Sequence, residues 1–413
     1  MEHGILYHTA HPYSVKSLVP ATTFILHGDR SGSTDSATVS ILVVFQHSRL
    51  IFAGTWNALN LGSDLTDDNL YGALDELAQN DISITNLIID DGWQAVTKGP
   101  VRGWKTFEAN KDAFADGLKA IVSKLRKSFP DIDHIAVWHA MHGYWGGISP
   151  DGQIAQTYKT IEVHCGSPYN QKLHIVDKED VDRFYNDFYK FLADSGIDSV
   201  KTDVQHILDC IIDTEPRRDL ITSYLDAWTL ASLRQFNFRT ISCMSQFPQG
   251  IFHSHMHQSR PTLIVRNSDD FFPNKAASHA WHIWANAHNS LFARYMNVLP
   301  DWDMFQTKHE YGGFHAAARC VSGGPIYITD VPGEHDLNVI RAMTAVTIRG
   351  KTVILRPSVI GRSVTHYVGF DTAQLCKVGS YHGKFPLTLL FFLLFFWLFC
   401  LLFFLLSFIL LYV

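Results

Sequence analysis

The chain has two hydrophobic periods that take turns. From about residue 50, short, nearly continuous apolar runs recur as RLIFAGTW (49–56), NLIIDDG (86–92), HIAVWHA (134–140), DSVKTDV (198–204), RTISCMS (239–245), TLIVRNS (262–268), MNVLPDW (296–302) and GPIYITD (324–330). Longer stretches in which apolar residues return every three or four positions separate most of them, among them DDNLYGALDELAQN, DGLKAIVSKLRKSF and VDRFYNDFYKFLADSG. Short runs without polar alternation predict strands buried on both faces, and the longer stretches predict amphipathic helices. Eight such rounds predict an α/β fold closed into a (β/α)8 TIM barrel rather than an open doubly wound sheet. No glycine-rich phosphate loop follows any strand, which argues against a nucleotide site.

The flanks read differently. Residues 1–48 hold two β-like runs around the polar turn GDRSGSTDS, a partial N-terminal β segment. The barrel is expected over 49–348. Residues 349–384 return to β character, as the start of a C-terminal β domain, and 385–413 are almost wholly Phe and Leu. That apolar run is long enough to span a bilayer, so it reads either as a membrane anchor behind a cytoplasmic barrel or as translated non-coding sequence. The N-terminus lacks the basic and apolar regions of a secretory signal.

Composition removes other classes. A net charge of -6 without basic clusters excludes a nucleic-acid surface. The six cysteines have no regular spacing and read as free thiols in a reducing compartment.

The polar residues then fall in one place. Barrel active sites form at the carboxyl ends of the strands, and there the sequence sets Trp56, Asp90, Asp91, Trp93, Trp138, Trp145, Lys201, Asp203, Arg266, Asp269, Asp270, Trp302, Asp303 and Asp330. One acid after a strand is ordinarily a helix cap; acids on most strands predict an acidic, aromatic-lined cup. Such a cup suits a sugar, because carboxylates accept paired hydrogen bonds from neighbouring hydroxyls and indoles stack on pyranose rings. A metal centre using His139, His142 and His164 is the rival, disfavoured by the tryptophans and the lack of tight ligand spacing. The HSHMH run (253–257) reads as a polar loop. No metal or cofactor is expected.

Glycosyl chemistry needs two carboxylates across the ring. Asp203 is placed to attack, with the Lys201 ammonium expected to lower its pKa. The second acid is expected from Asp269–Asp270, whose mutual repulsion would raise one pKa toward that of a proton donor.

At LIIDDGWQ (87–94), VWHAMHGYWGG (137–147), VKTDVQ (200–205), RNSDDFFP (266–273), PDWDMFQ (300–306) and HAAARCVSGGPIYITD (315–330) the chain resembles the raffinose synthase/seed imbibition protein group of glycoside hydrolase family 36. The resemblance runs from roughly Thr55 to Pro357. It implies a retaining α-galactosyl enzyme acting on galactinol with sucrose or water as acceptor. The family's lysine-x-aspartate element falls on Lys201 and Asp203, the nucleophile, and its arginine-x-x-x-aspartate element on Arg266 and Asp270, the acid/base, with Asp269 one residue away. Asp90 and Asp91 would hold galactose hydroxyls, and Trp56, Trp93 and Trp145 would shape the pocket. Members of this group carry a longer β-sandwich before the barrel and a β domain after it. A catalytically dead carbohydrate-binding or membrane-tethered fragment is therefore the competing expectation, and its barrel edge would be left exposed.

Overall fold

The computed structural model describes residues 22–25, 42–45, 51–54, 65–82, 84–346, 352–354, 357–365, 368–371, 376–382 and 385–391. Eight parallel strands form one sheet: β1 (Ile51–Gly54), β2 (Asn86–Ile89), β3 (His134–Ala140), β4 (Ser199–Asp203), β5 (Thr240–Ser242), β6 (Leu263–Arg266), β7 (Val298–Asp301) and β8 (Tyr327–Ile328). Each pairs with the next in chain order from β1 to β7, and β8 pairs with β1. The last seam closes just past β7, where Phe305 bridges Ile328 in parallel; its N–H donates to Tyr327 O at 3.3 Å and its carbonyl accepts from Thr329 N at 3.0 Å. The sheet is therefore a closed barrel, as expected.

The helices form where the periodicity places them. α1 (Asp67–Gln79) is capped by the Thr66 hydroxyl, which accepts from Asn69 N at 3.2 Å, and it buries Leu70, Ala73, Leu74 and Leu77 along one face. α2 (Leu118–Ser128) buries Leu118, Ile121, Val122 and Leu125 in the same way. Its first free N–H is met by Glu108, whose carboxylate accepts from Leu118 N at 2.8 Å. Preceding Gly117 has φ +82, and a Cβ there would meet that carboxylate at 3.0 Å, so both space and backbone call for glycine. Tyr189 of α3 (Val181–Asp194) bonds His139 of β3, and Trp228 of α4 (Thr214–Phe236) donates to Thr202 of β4 at 2.9 Å; α5 (Ala276–Ala293), α6 (Gly312–Ser322) and α7 (Leu337–Met343) follow β6, β7 and β8. Each large aliphatic or aromatic side chain fully buried here contributes about 1.5–3 kcal/mol.

Two hairpins are inserted at the carboxyl end of the barrel. Gln94–Val96 pairs with Trp104–Ala109, and Thr160–Cys165 pairs with Gln171–Val176. The YWGG stretch is wedged between them: Gly146 N donates to Arg102 O, and Ile148 N to His174 O at 2.7 Å. A Cβ on Gly147 would sit 2.3 Å from His174 O, and one on Gly146 2.6 Å from Arg102 O. These two glycines let both hairpins seat on the barrel rim.

Beyond the barrel, Val359–Ser363, Cys376–His382 and Phe385–Phe391 form an antiparallel three-stranded sheet. Cys376 and Val378 are buried with Ile283 and Ala287 of α5 and Ala318 of α6, so this part of the barrel edge is covered rather than exposed. The residues at which the sequence reading begins an apolar tail are thus, over 385–391, the third strand of that sheet. Among the described residues no helix is long and apolar enough to cross a membrane; residues 392–413 lie outside them. The N-terminal β segment is seen as Thr22–Ile25 paired antiparallel with Leu42–Phe45.

Candidate active site

Side chains alternate in direction along a strand, so Lys201 and Asp203 at the end of β4 share a face. Asp203 is held at both oxygens: Oδ2 accepts from Trp138 Nε1 at 3.0 Å, and Oδ1 accepts from Val204 N at 2.7 Å. The second bond depends on an unusual backbone. Val204 has φ +55, a left-handed conformation that costs a β-branched residue on the order of 1–3 kcal/mol. Met244 (φ +48) and Asp303 (φ +66) repeat this just past β5 and β7. Non-glycine strain is thus stored at three strand ends around the same mouth.

Lys201 does not pair with Asp203 as the sequence reading expects. Its Nζ lies 2.7 Å from Asp90 Oδ2, both groups buried. Burial raises the Asp90 pKa and the ammonium opposes it without cancelling it; burial also disfavours the ammonium, but Asp90 outweighs that and the Lys201 pKa is raised. Asp91 accepts from the Tyr144 hydroxyl and from Trp145 Nε1 at 3.0 Å, and burial raises its pKa too. Asp90 and Asp91 therefore stand side by side at the end of β2, each with hydrogen-bonding capacity left over.

Across the mouth, Arg266 at the end of β6 gathers three acids. Its guanidinium reaches Asp301 at 3.3 Å, Asp303 at 2.6 Å and Asp270 at 3.0 Å. The Tyr327 hydroxyl sits in the same net, donating to Asp301 Oδ2 at 2.7 Å. Burial works to raise the Asp303 pKa, but Arg266, with His282 and Lys201 beyond it, outweighs burial and holds that carboxyl below its usual range. Asp303 also accepts from Phe271 N at 2.6 Å, which pins the loop that carries Asp269 and Asp270.

Asp270 is open to solvent on one side (side chain 52 % exposed) and enclosed on the others. Desolvation raises its pKa; Arg266 opposes this, whereas Asp303 and Asp203 add to it. The cause is thus burial with those two acids, not repulsion by adjacent Asp269 as expected from the sequence. Asp203 ends β4 and Asp270 follows β6, so both stand at the carboxyl end of the same closed barrel. Asp269, 55 % exposed, faces another way, with His282 Nδ1 3.8 Å from its Oδ1; burial raises its pKa as well.

The tryptophans divide. Trp138 stacks on Trp145 (6.1 Å between rings, 27°), and Trp145 is half-buried at the mouth. Trp93 is wholly buried, and its indole donates to Trp138 O at 2.7 Å, so it braces β3 instead of lining the pocket. Trp302 is a second correction. It is wholly buried among Ile283, Ala287 and Ala318, with Nε1 3.3 Å from Ser290 Oγ, on the helix side of β7. Its neighbours Asp301 and Asp303 take the inward positions, as alternation requires. Trp56 lies outside the described residues.

The histidines of the metal reading are not brought together. His139 bonds Thr202 Oγ1 at 3.0 Å and Tyr189 OH at 2.9 Å behind β4, whereas His164 lies on the outer hairpin. Among the described residues no group of three or more His, Cys, Asp or Glu could hold a metal ion. Within HSHMH, His253 meets Asp226 and His255 meets Ser245 in a π-helical turn, Ile251–His255. An external groove of about 580 Å³, lined by Arg217, Leu225, Gln249 and Phe252, contains none of the paired acids.

Sequence reasoning missed Tyr327 and Asp301. Asp301 stands in the PDWD motif beside the chosen Asp303, and strand alternation could have paired the two.

The closed barrel gathers these carboxylates with Lys201 and Arg266 at its carboxyl end, and this ionic cup is the candidate active site. The model of the family "Raffinose synthase or seed imbibition protein Sip1" matches residues 102–366, and the chain belongs to that family. It is 32% identical over 354 residues to "Probable galactinol--sucrose galactosyltransferase 6" of Arabidopsis thaliana (78% of this chain, 45% of that protein). It is 31% identical over 253 residues to "Stachyose synthase" of Pisum sativum (55% of this chain, 29% of that protein). The chain thus spans less than half the length of these relatives. Among solved structures, α-galactosidase I from Mortierella vinacea matches with TM-score 0.51 at 13% identity, covering 84% of this chain and 81% of that one. A GH27 β-L-arabinopyranosidase from Geobacillus stearothermophilus matches with TM-score 0.55 at 12% identity, covering 84% and 83%. At such identities these two establish the fold alone.

Proposed function

We propose that the chain carries a retaining α-galactosyl active site, with Asp203 as nucleophile and Asp270 as acid/base. The observation that carries this is the asymmetry of the two carboxyls. Asp203 is fixed by two N–H donors, whereas Asp270 has a raised pKa and one face open to the mouth. An oriented carboxylate can attack an anomeric carbon; a carboxyl that keeps its proton longer can protonate the leaving oxygen. In the first step the Asp203 oxygen bonds to the anomeric carbon as the glycosidic bond breaks, and the Asp270 proton passes to the departing alcohol. In the second, Asp270 takes a proton from the acceptor hydroxyl, whose oxygen displaces Asp203. Asp90 and Asp91 would accept from hydroxyls of the galactosyl ring, and the half-buried Trp145 would flank it.

The relatives' names support galactinol as donor and sucrose as acceptor, with water as the alternative acceptor. The described cysteines are free thiols, in keeping with a reducing, cytoplasmic setting. Incubation with galactinol and sucrose tests the reading: raffinose or free galactose should form, and Asp203→Asn should abolish both while the circular dichroism spectrum stays native. Galactoside binding without turnover in the unsubstituted chain would favour a carbohydrate-binding fragment instead.

A further inference from the structure

The mouth of the barrel holds a polar pair that this chemistry leaves unused. Tyr169 lies in the bend of the Thr160–Val176 hairpin, and His206 in the 3-10 turn Gln205–Cys210 that follows β4. The Tyr169 hydroxyl is 2.9 Å from His206 Nε2, their rings 5.5 Å apart, and both side chains are half-buried. His206 N donates to the carbonyl of Met244, a residue 37% exposed just past β5.

Their arrangement is fixed by backbone. Gly166 N donates to Cys210 O at 2.7 Å and Ile212 N to His164 O at 3.0 Å, so the hairpin is laced to the loop that leaves the proposed nucleophile. The charge of Asp203 is felt at both Tyr169 and His206.

The position within the ring matters. The sugar-holding acids stand at β2, and the two proposed catalytic carboxyls leave β4 and β6. The anomeric carbon would lie between those last two, and whatever follows it would occupy the β4–β5 sector. There β5 contributes no acid, and Tyr169, His206 and Met244 stand beside its end, joined by the side-chain and backbone bonds above.

We propose that Tyr169, His206 and Met244 form the acceptor subsite, holding a saccharide acceptor so that its hydroxyl competes with water for the galactosyl group. The proposal rests on the galactosyl reading above. A phenol, an imidazole and a thioether offer two hydrogen-bonding groups and an apolar contact, which suits a hydroxylated ring better than a lone water.

The test is the ratio of raffinose to free galactose formed from galactinol and sucrose, in the unsubstituted protein and in Tyr169→Phe and His206→Gln. Each substitution should lower that ratio roughly three- to tenfold, the effect of one lost hydrogen bond, through a higher sucrose KM. An unchanged ratio, or an equal fall in both products, overturns the subsite. Failure of the unsubstituted protein to consume galactinol counts instead against the galactosyl reading. Saturation-transfer NMR with sucrose and galactose reads the subsite without turnover: Tyr169→Phe should weaken sucrose and not galactose, and equal weakening or none would overturn the proposal.

Discussion

The indole of Trp138, at the end of β3, grips Asp203, at the end of β4: Nε1 donates to Oδ2 at 3.0 Å. Trp138 is itself braced, since its carbonyl accepts from Trp93 Nε1 at 2.7 Å. A hydrogen bond to a charged group is worth about 1.5–3 kcal/mol. Trp138→Phe keeps a ring in the core and removes only this donor, so kcat for galactinol cleavage should fall on the order of tenfold to a hundredfold. Steady-state kinetics checks this; a change confined to KM would show that the bond does not orient the attacking oxygen.

Asp269 and Asp270 differ by one position and by what they face. Asp270 lies between Arg266 and the mouth, whereas Asp269 turns toward His282. Asp270→Asn should therefore cut turnover of galactinol by three orders of magnitude or so, and far less for an aryl galactoside whose leaving group needs little protonation. Asp269→Asn should cost tenfold or less on either substrate. The raised pKa of Asp270 keeps its proton to higher pH than an ordinary aspartic acid, so the alkaline limb of kcat/KM should lie above the usual carboxylate range and vanish in Asp270→Asn. Reversed substrate preferences for the two variants would reassign the acid/base role.

Much of this was legible in the sequence because barrel strands are buried on both faces and announce themselves as unbroken apolar runs. All eight runs contain the strands found, from Ile51–Gly54 to Tyr327–Ile328. What escaped was set by contacts distant in sequence. Lys201 sits two residues from Asp203 yet pairs with Asp90, on a strand more than a hundred residues earlier. Trp302 looked like pocket lining because it neighbours Asp303, but one step along a strand reverses a side chain's direction. The left-handed turn at Val204 is invisible to propensity, since a β-branched residue is the last expected there.

The Lys201–Asp90 pair predicts strong non-additivity. Lys201→Met leaves a buried carboxylate without its partner and should destabilise the fold by about 3–5 kcal/mol. Asp90→Asn alone strands the ammonium at a similar cost. The double variant removes both charges, so it should be markedly more stable than the sum of the two losses predicts, while galactose binding is lost in all three. Chemical denaturation read as a double-mutant cycle decides it: additive losses would mean the two groups are not coupled.

At the seam where β8 meets β1, His335 joins two carboxylates, with Nε2 2.6 Å from Glu76 of α1 and Nδ1 2.9 Å from Asp330 past β8. Its side chain is only 3% exposed. Burial works to lower its pKa, but the hydrogen bonds its ring donates to the two carboxylates outweigh that, and the net shift is upward. The folded protein thus holds this proton more tightly than the unfolded chain, whose histidine titrates near about 6.5. The stabilisation is complete below that pH and is lost as pH rises through the higher folded value. The raised aspartates also lose stability with rising pH, whereas buried histidines such as His139, held down at about 4, titrate well below an ordinary histidine. Melting temperature measured upward from pH 6.5 should therefore fall in the unsubstituted protein. His335→Gln should melt lower at pH 6.5 and show little further fall. Parallel pH profiles for the two proteins would mean that this histidine is neutral in the fold and that the seam is held by packing alone.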